Sequence, residues 1–354
     1  MHVLIIFIIA AAVSYLITIP TIYLAKKYNF VTDARKRKHP AHVHTGVIPR
    51  AGGVPIYLSL LICSLLFIPL NKIMIGILLS SFILVVLGLF DDYYDLSPYL
   101  RLVINLWVAA MVIGFGLGIP FISNPLGGVI HLDTVRFSFQ LFGTRSVLIL
   151  ADLIALIWLT ALMNMISWSK GLDGQLPGFV GITAFFLGLL AQRFTGHDIN
   201  ATSVMILASI VAGAYIGFMP FNFYPQKIMP GYGGGSLAGF LLCILSILSF
   251  GKVGTAILIL AIPMIDATYT IIRRLAHKRS PFRGDRGHFH HRLMDIGWGK
   301  RRIAFFYWVV SLFLGISSLF LEGSEKFLAF LSIALFLLIF MLVIERMKTD
   351  TLAQ

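Results

Sequence analysis

Residues 73–98 read IMIGILLSSFILVVLGLFDDYYDLSP. Residues 73–90 carry no charge, and a helix over them would be roughly 27 Å long, close to the hydrocarbon thickness of a bilayer. The stretch then stops on two carboxylates, Asp91 and Asp92, with a third at Asp95. Ser97 followed by Pro98 predicts the next helix start, the serine as N-cap and the proline at the first helical position.

Runs of the same kind recur through the 354 residues, of which 58% are hydrophobic and only 12% charged. They fall at 2–24, 53–71, 73–90, 101–119, 146–167, 177–194, 201–220, 234–250, 254–273, 303–321 and 328–346. This pattern predicts an all-α membrane protein, a polytopic bundle of about 11 transmembrane helices forming a single integral membrane domain over 1–354. The first run is too long for a signal peptide and has no small-residue cleavage site, so it is expected to remain as a helix. Between 119 and 145, Pro120, Asn124-Pro125 and Gly127-Gly128 precede alternating residues at 129–132 and 135–139, which predicts a short external β-hairpin. Cys63 and Cys243 stand singly in apolar runs and read as small core residues.

A net charge of +13 invites a nucleic-acid reading, and the distribution of that charge argues against it. With the N-terminus placed outside, 22 of the 28 Lys and Arg fall in the inner connectors. That is the positive-inside bias of a membrane protein. It places the C-terminus on the cytoplasmic side of a multi-pass protein in a bacterial-type inner membrane, with the lipid bilayer as partner and nucleic acid unnecessary.

The same inner face carries the chemistry. Carboxylates at helix ends in a membrane protein are costly and read by default as functional. Asp91 and Asp95, four apart, share a face if the helix continues that far. The acidic group could hold a cation or accept a proton from a phosphate or hydroxyl. Residues 164–178, NMISWSKGLDGQLPG, flank Asp173 with two glycines that permit a sharp turn, and Lys170 is a lone cation between apolar runs. Residues 221–236, FNFYPQKIMPGYGGGS, read as a glycine-rich loop opening a helix at Ser236: either a phosphate cradle or a site of close helix packing. Residues 273–293, RRLAHKRSPFRGDRGHFHHRL, gather six Arg, a Lys and the histidines His288, His290 and His291. Such a cationic segment suits a diphosphate better than zinc. Asp266, seven residues before Arg273, is expected to pair with it. Upstream, His44 and Pro49-Arg50-Ala51-Gly52-Gly53 close the first inner loop. Acids at membrane edges rather than at the midplane make a transporter the weakest reading.

These pieces, in this order, resemble the polyprenyl-phosphate N-acetylhexosamine-1-phosphate transferases, and within them the undecaprenyl-phosphate N-acetylglucosamine-1-phosphate branch more than the muramoyl-pentapeptide branch. The most specific matches are Asp91-Asp92 with Asp95-Leu96-Ser97-Pro98, and Ser280-Pro281-Phe282-Arg283 through Leu293. The resemblance implies a magnesium-dependent transfer of sugar 1-phosphate from a UDP-sugar to a polyprenyl phosphate at the cytoplasmic face, releasing UMP, for envelope glycans such as lipopolysaccharide. It implies Asp91 and Asp92 at the reaction centre and on the metal. It implies substrate contacts from His44, Asn164, Lys170, Asp173, Arg283, Arg286, His288, His290 and His291. A homodimer is compatible with it. The chain departs from the family pattern where Ser167 replaces an Asn, Lys170 replaces an Asp, and Tyr232 or Gly233 falls at a metal-ligand Asp. The charge gained is similar to that of the magnesium expected. A non-catalytic relative binding polyprenyl phosphate or nucleotide sugar is the alternative.

Overall fold

The structure, a computed structural model, describes residues 2–33, 46–124, 127–140, 144–193, 200–249, 253–280 and 286–352. Its helices are α1 (His2–Lys27), α2 (Gly53–Phe67), α3 (Lys72–Tyr94), α4 (Pro98–Gly114), α5 (Ile149–Trp168), α6 (Gln175–Gln192) and α7 (Ala201–Asn222). There follow α8 (Gly231–Leu248), α9 (Val253–Ile259), α10 (Ala261–Ala276), α11 (Phe289–Asp295), α12 (Lys300–Phe320) and α13 (Gly323–Leu352). Among the described residues eight helices are long and apolar enough to cross a bilayer. The bent pair α9–α10 makes a ninth if counted as one span, and α2 and α4 are shorter apolar helices of 15 and 17 residues. All eleven predicted runs therefore fall on helix, while fewer than eleven meet the length for a full crossing.

The run at 254–273 is broken: α9 and α10 meet at 82°. Pro263 explains the break. Its ring would collide with the carbonyl four residues back, that of Ile259, the last residue of α9. Elsewhere local chemistry sets the ends as expected. Asn71 caps α3 by accepting the Met74 N–H at 2.8 Å, and Ser97 caps α4 by accepting the Leu100 N–H at 3.2 Å. Asp95 ends α3 in the left-handed region, with φ 55°.

The connector between α4 and α5 holds two hairpins rather than one. Strand Phe121–Ser123 pairs with Val129–His131, and Arg136–Gln140 pairs with Thr144–Leu148. Gly127 and Gly128, both at positive φ, lie in the first turn, so 129–132 folds back on 121–123 instead of on 135–139. A third pair, Val31–Asp33 with Val47–Pro49, lies between α1 and α2.

Helix α8 is the axis of the bundle, with nearly all of its residues buried against α2, α3, α5 and α6. Helices α1 and α13 lie at the rim with most of their surface facing outward. The glycines at 233–235 lie inside α8, not in a loop before it. A Cβ on Gly88 of α3 would run into the Gly233 backbone, and one on Gly53 would lie 2.8 Å from the Gly234 nitrogen. The cradle reading gives way to close packing, because side-chain-free surfaces let α2 and α3 approach α8 and bring Asp92 to its first turn.

Candidate active site

Asp91 and Asp92 occupy the last turn of α3 and are almost wholly buried. A buried carboxylate requires compensation, and each has a guanidinium of its own. Arg101, at the start of α4, donates from Nε to Asp91 Oδ1 and from a terminal nitrogen to Asp95 Oδ1 at 3.0 Å. Arg50 pairs with Asp92 Oδ1 at 3.1 Å. The same oxygen accepts the Tyr232 backbone N–H at 3.0 Å, which places the carboxylate on the positive end of α8. Gly231, at φ 69°, has no room for a Cβ beside Asp92 Oδ2. Asp92 is thus a brace between α3 and α8. Asp91 Oδ2 differs, being buried with no partner among the described residues.

Lys170 stands on the turn between α5 and α6, within electrostatic reach of both acids. Its ammonium donates to Ser167 Oγ at 3.0 Å and lies 5.4 Å from the centre of the Tyr232 ring. Gly235 of α8 lies against it, a Cβ there falling 2.9 Å from Lys170 Cδ. Burial pushes its pKa down to about 8, more than Asp92 and Asp91 pull it up. Tyr232 donates its hydroxyl to Asn105 Oδ1 at 2.9 Å and to the Arg101 carbonyl at 3.1 Å, holding the α8 start against α4.

The histidines join this group through the next glycine. A Cβ on Gly171 would lie 2.5 Å from His290 Nε2, so only glycine fits there. His288 stacks on His290 with centroids 5.7 Å apart, and Trp168 lies 6.1 Å from His288. Both ring nitrogens of His290 and Nδ1 of His291 have no partner among the described residues. Burial holds His290 well below the usual histidine range, and burial with His288 and Arg286 nearby brings His291 to about 4. Asp266 caps α11 by accepting the Phe289 N–H at 2.8 Å and also bonds His288 Nδ1 at 3.2 Å. The expected pairing with Arg273 gives way to this one because two helical turns, about 11 Å, separate the two residues along α10. Arg292 fastens α11 to α13 through the Met341 carbonyl and Glu345.

The remaining expected residues sit differently. Asp173 is buried, with Oδ1 on Lys300 at 3.3 Å and Oδ2 accepting the Gln226 N–H at 3.3 Å, so it clasps the 170–174 turn to α12 and the 223–230 loop. Asn164 donates to the Thr160 carbonyl of its own helix. Arg286 is exposed and pairs with Asp295 at 3.3 Å. His44 and Arg283 lie outside the described residues. Arg101 and Lys300 were not singled out from sequence, and Arg50 and Asn222, whose amide oxygen accepts the Gly174 N–H at 3.1 Å, appeared only within their loop motifs. For Arg101 the available signal was a solitary cation beside an apolar run; Lys300 stands in a run with Arg301 and Arg302. Two apolar cavities, of about 300 and 650 Å³, lie away from this cluster, one among Ile68, Asn71 and Leu117, the other between α1, α6 and α7.

The residues present do not make a magnesium site. Asp92 Oδ1 is committed to Arg50 and Tyr232, Asp91 and Asp92 keep one unengaged oxygen each among the described residues, and Lys170, Arg50 and Arg101 already supply the positive charge. Among the described residues no three His, Cys, Asp or Glu side chains converge as a metal would require. What the arrangement can do is bind phosphate oxygens beside a carboxylate in a place of low dielectric.

The sequence profile of glycosyl transferase family 4 matches residues 74–250. A probable undecaprenyl-phosphate N-acetylglucosaminyl 1-phosphate transferase of Bacillus subtilis is 31% identical over 328 residues, covering 91% of this chain and 85% of that protein. The decaprenyl-phosphate N-acetylglucosaminephosphotransferase of Mycobacterium leprae is 29% identical, with 87% and 81% covered. The undecaprenyl-phosphate alpha-N-acetylglucosaminyl 1-phosphate transferase of Thermotoga maritima is 30% identical, with 79% and 78% covered. The profile spans both the acidic end of α3 and the glycine start of α8, and with these relatives matched along most of their length, the chain belongs to glycosyl transferase family 4.

Proposed function

We propose that this protein transfers an N-acetylhexosamine 1-phosphate from a UDP-sugar to a polyprenyl phosphate at the cytoplasmic face of the membrane, releasing UMP. The observation that carries this reading is the buried Asp91 carboxylate, one oxygen held by Arg101 and the other open, at the foot of membrane-crossing helices. A lipid phosphate whose tail lies in the bilayer would meet these charged groups at the helix ends. The family relationship and the names of its relatives support the reaction class.

In this reading Asp91 takes a proton from the lipid phosphate or aligns its oxyanion. That oxygen attacks the phosphorus attached to the sugar, a new phosphorus–oxygen bond forms, and the bond to the bridging oxygen breaks. UMP leaves with the bridging oxygen. Arg50, Arg101 and Lys170 balance the growing negative charge as fixed dipoles and cations that need no reorganisation. His288, His290 and His291 flank the Lys170 turn, where the imidazoles of His290 and His291, held neutral by burial, can hydrogen-bond phosphate oxygens. Asp173, committed to Lys300 and Gln226, keeps that turn in place.

Purified protein with UDP-N-acetylglucosamine and undecaprenyl phosphate should release UMP only when both are present, and a panel of UDP-sugars would identify the donor. Binding of both substrates without release would instead mark a non-catalytic relative. That second reading is favoured by one fact: Asp91 and Asp92 are already ion-paired.

A further inference from the structure

We infer that Lys170 is the resident cation of this site, so that the protein holds the phosphate of its ligand without a divalent metal ion. The inference rests on the proposed phosphate chemistry of the same site and specifies how its charge is met.

Three observations carry it. The first is the balance of fixed charge. Asp91 and Asp92 are buried with Lys170, Arg50 and Arg101 around them, which leaves one positive charge in excess inside the site. Asp95, more than half exposed, offsets that excess only from the surface. An arriving divalent ion would meet three cations beside the two oxygens unengaged among the described residues, Asp91 Oδ2 and Asp92 Oδ2. An arriving phosphate meets an excess of the opposite sign.

The second is how Lys170 is held. Ser167 takes one of its three N–H groups, and the Tyr232 ring faces the ammonium. Gly235 leaves the aliphatic stem just enough room beside α8. The ammonium is therefore fixed on the spot and still has a donor to offer. A lysine that merely reached for the membrane surface would show none of these restraints. The third lies next door, where the buried His290 has both ring nitrogens without a partner among the described residues, against Gly171. An unsatisfied buried donor and acceptor beside a fixed cation are what a phosphate oxygen would complete.

Farnesyl phosphate is a probe short enough to handle in detergent micelles, and its binding can be followed by titration calorimetry in EDTA and in magnesium chloride. The wild-type affinity should differ by less than about twofold between the two buffers. Lys170→Gln should lose about tenfold to a hundredfold in both, the effect of one charge-assisted hydrogen bond. Lys170→Asp should acquire a manganese site visible by electron paramagnetic resonance that the wild type lacks. If Lys170→Asp does not fold, the wild-type and Lys170→Gln titrations decide alone. Wild-type binding or UMP release that collapses in EDTA and returns with magnesium overturns the inference and leaves the proposed reaction standing. Metal-independent, Lys170-dependent binding with no UMP release under any condition does the reverse.

Discussion

Asp91 and Asp92 are neighbours of identical chemistry with different surroundings, and single substitutions should separate them. Asp91→Asn removes the unengaged carboxylate oxygen while keeping the shape, so UMP release should fall by about a hundredfold or more, with a smaller loss of stability than at Asp92 because Arg101 keeps Asp95 as a partner. Asp92→Asn strips the buried charge from Arg50 and from the start of α8, so the larger effect should be on stability, a loss of about 3 kcal/mol in detergent unfolding. Equal losses of activity and stability in both variants would refute this division. A second residue-scale prediction concerns His291. Its folded-state pKa of about 4 lies below the usual histidine value, so between these limits the unfolded chain binds the extra proton and the folded one does not. Stability should therefore be full above about 6.5 and decline as pH falls towards 4, by about 2 kcal/mol at pH 5. His291→Asn should remove its share of that decline and leave the share of His290, which burial also holds low.

Among the elements, α8 decides where the others stand. Its glycine turns accept α2 and α3 at backbone distance, and that closeness lets a carboxylate of α3 reach the first amides of α8. Gly88→Ala should cost about 1–3 kcal/mol by forcing α3 off Gly233, and should lower activity as Asp92 leaves its place. Gly254→Ala in α9, where a Cβ meets nothing within 4 Å, should instead be neutral or stabilise by up to about 1 kcal/mol. The two thermal unfolding curves side by side make the comparison. Helix α11, seven residues long, cannot stand by itself. Asp266 at one end, and at the other the bond from Arg292 to Glu345 of α13, hold its histidines beside the Lys170 turn.

At the scale of the molecule, apolar side chains cover the outside and the charged groups collect at one end of the bundle. Leu16, Phe313 and Phe320 are more than 60% exposed, as lipid-facing residues should be. The proposed cytoplasmic placement of this end, argued from the positive-inside bias, can be tested by labelling, since the native cysteines Cys63 and Cys243 are both buried. Gly128→Cys, in the first hairpin, should react with a membrane-impermeant maleimide on intact cells. Gly299→Cys, before α12, should react only after permeabilisation. Both positions are open to a Cβ, Gly299 without strain and Gly128 at the cost of local backbone strain from its positive φ in an exposed turn. The opposite pattern would invert the topology.

Hydrophobicity and charge along the chain determined by themselves that this is a helical membrane protein, roughly where its helices run, and that Asp91, Asp92, Lys170 and the histidines sit on one face. Those features are legible because a charge in an apolar run is costly wherever the chain folds, and because Ser97-Pro98 acts within a single turn. Tertiary structure alone decided the partners. Asp92 meets Tyr232 across 140 residues and Asp173 meets Lys300 across 127, distances over which no local pattern constrains contact. The glycines of α8 were ambiguous for the same reason: freedom to cradle a ligand and freedom to admit a neighbouring helix leave the same trace in sequence. Packing of α3 against α8 resolved that ambiguity. It also turned an acidic pair that reads as a metal site into one whose cations are built from the chain's own Arg50, Arg101 and Lys170.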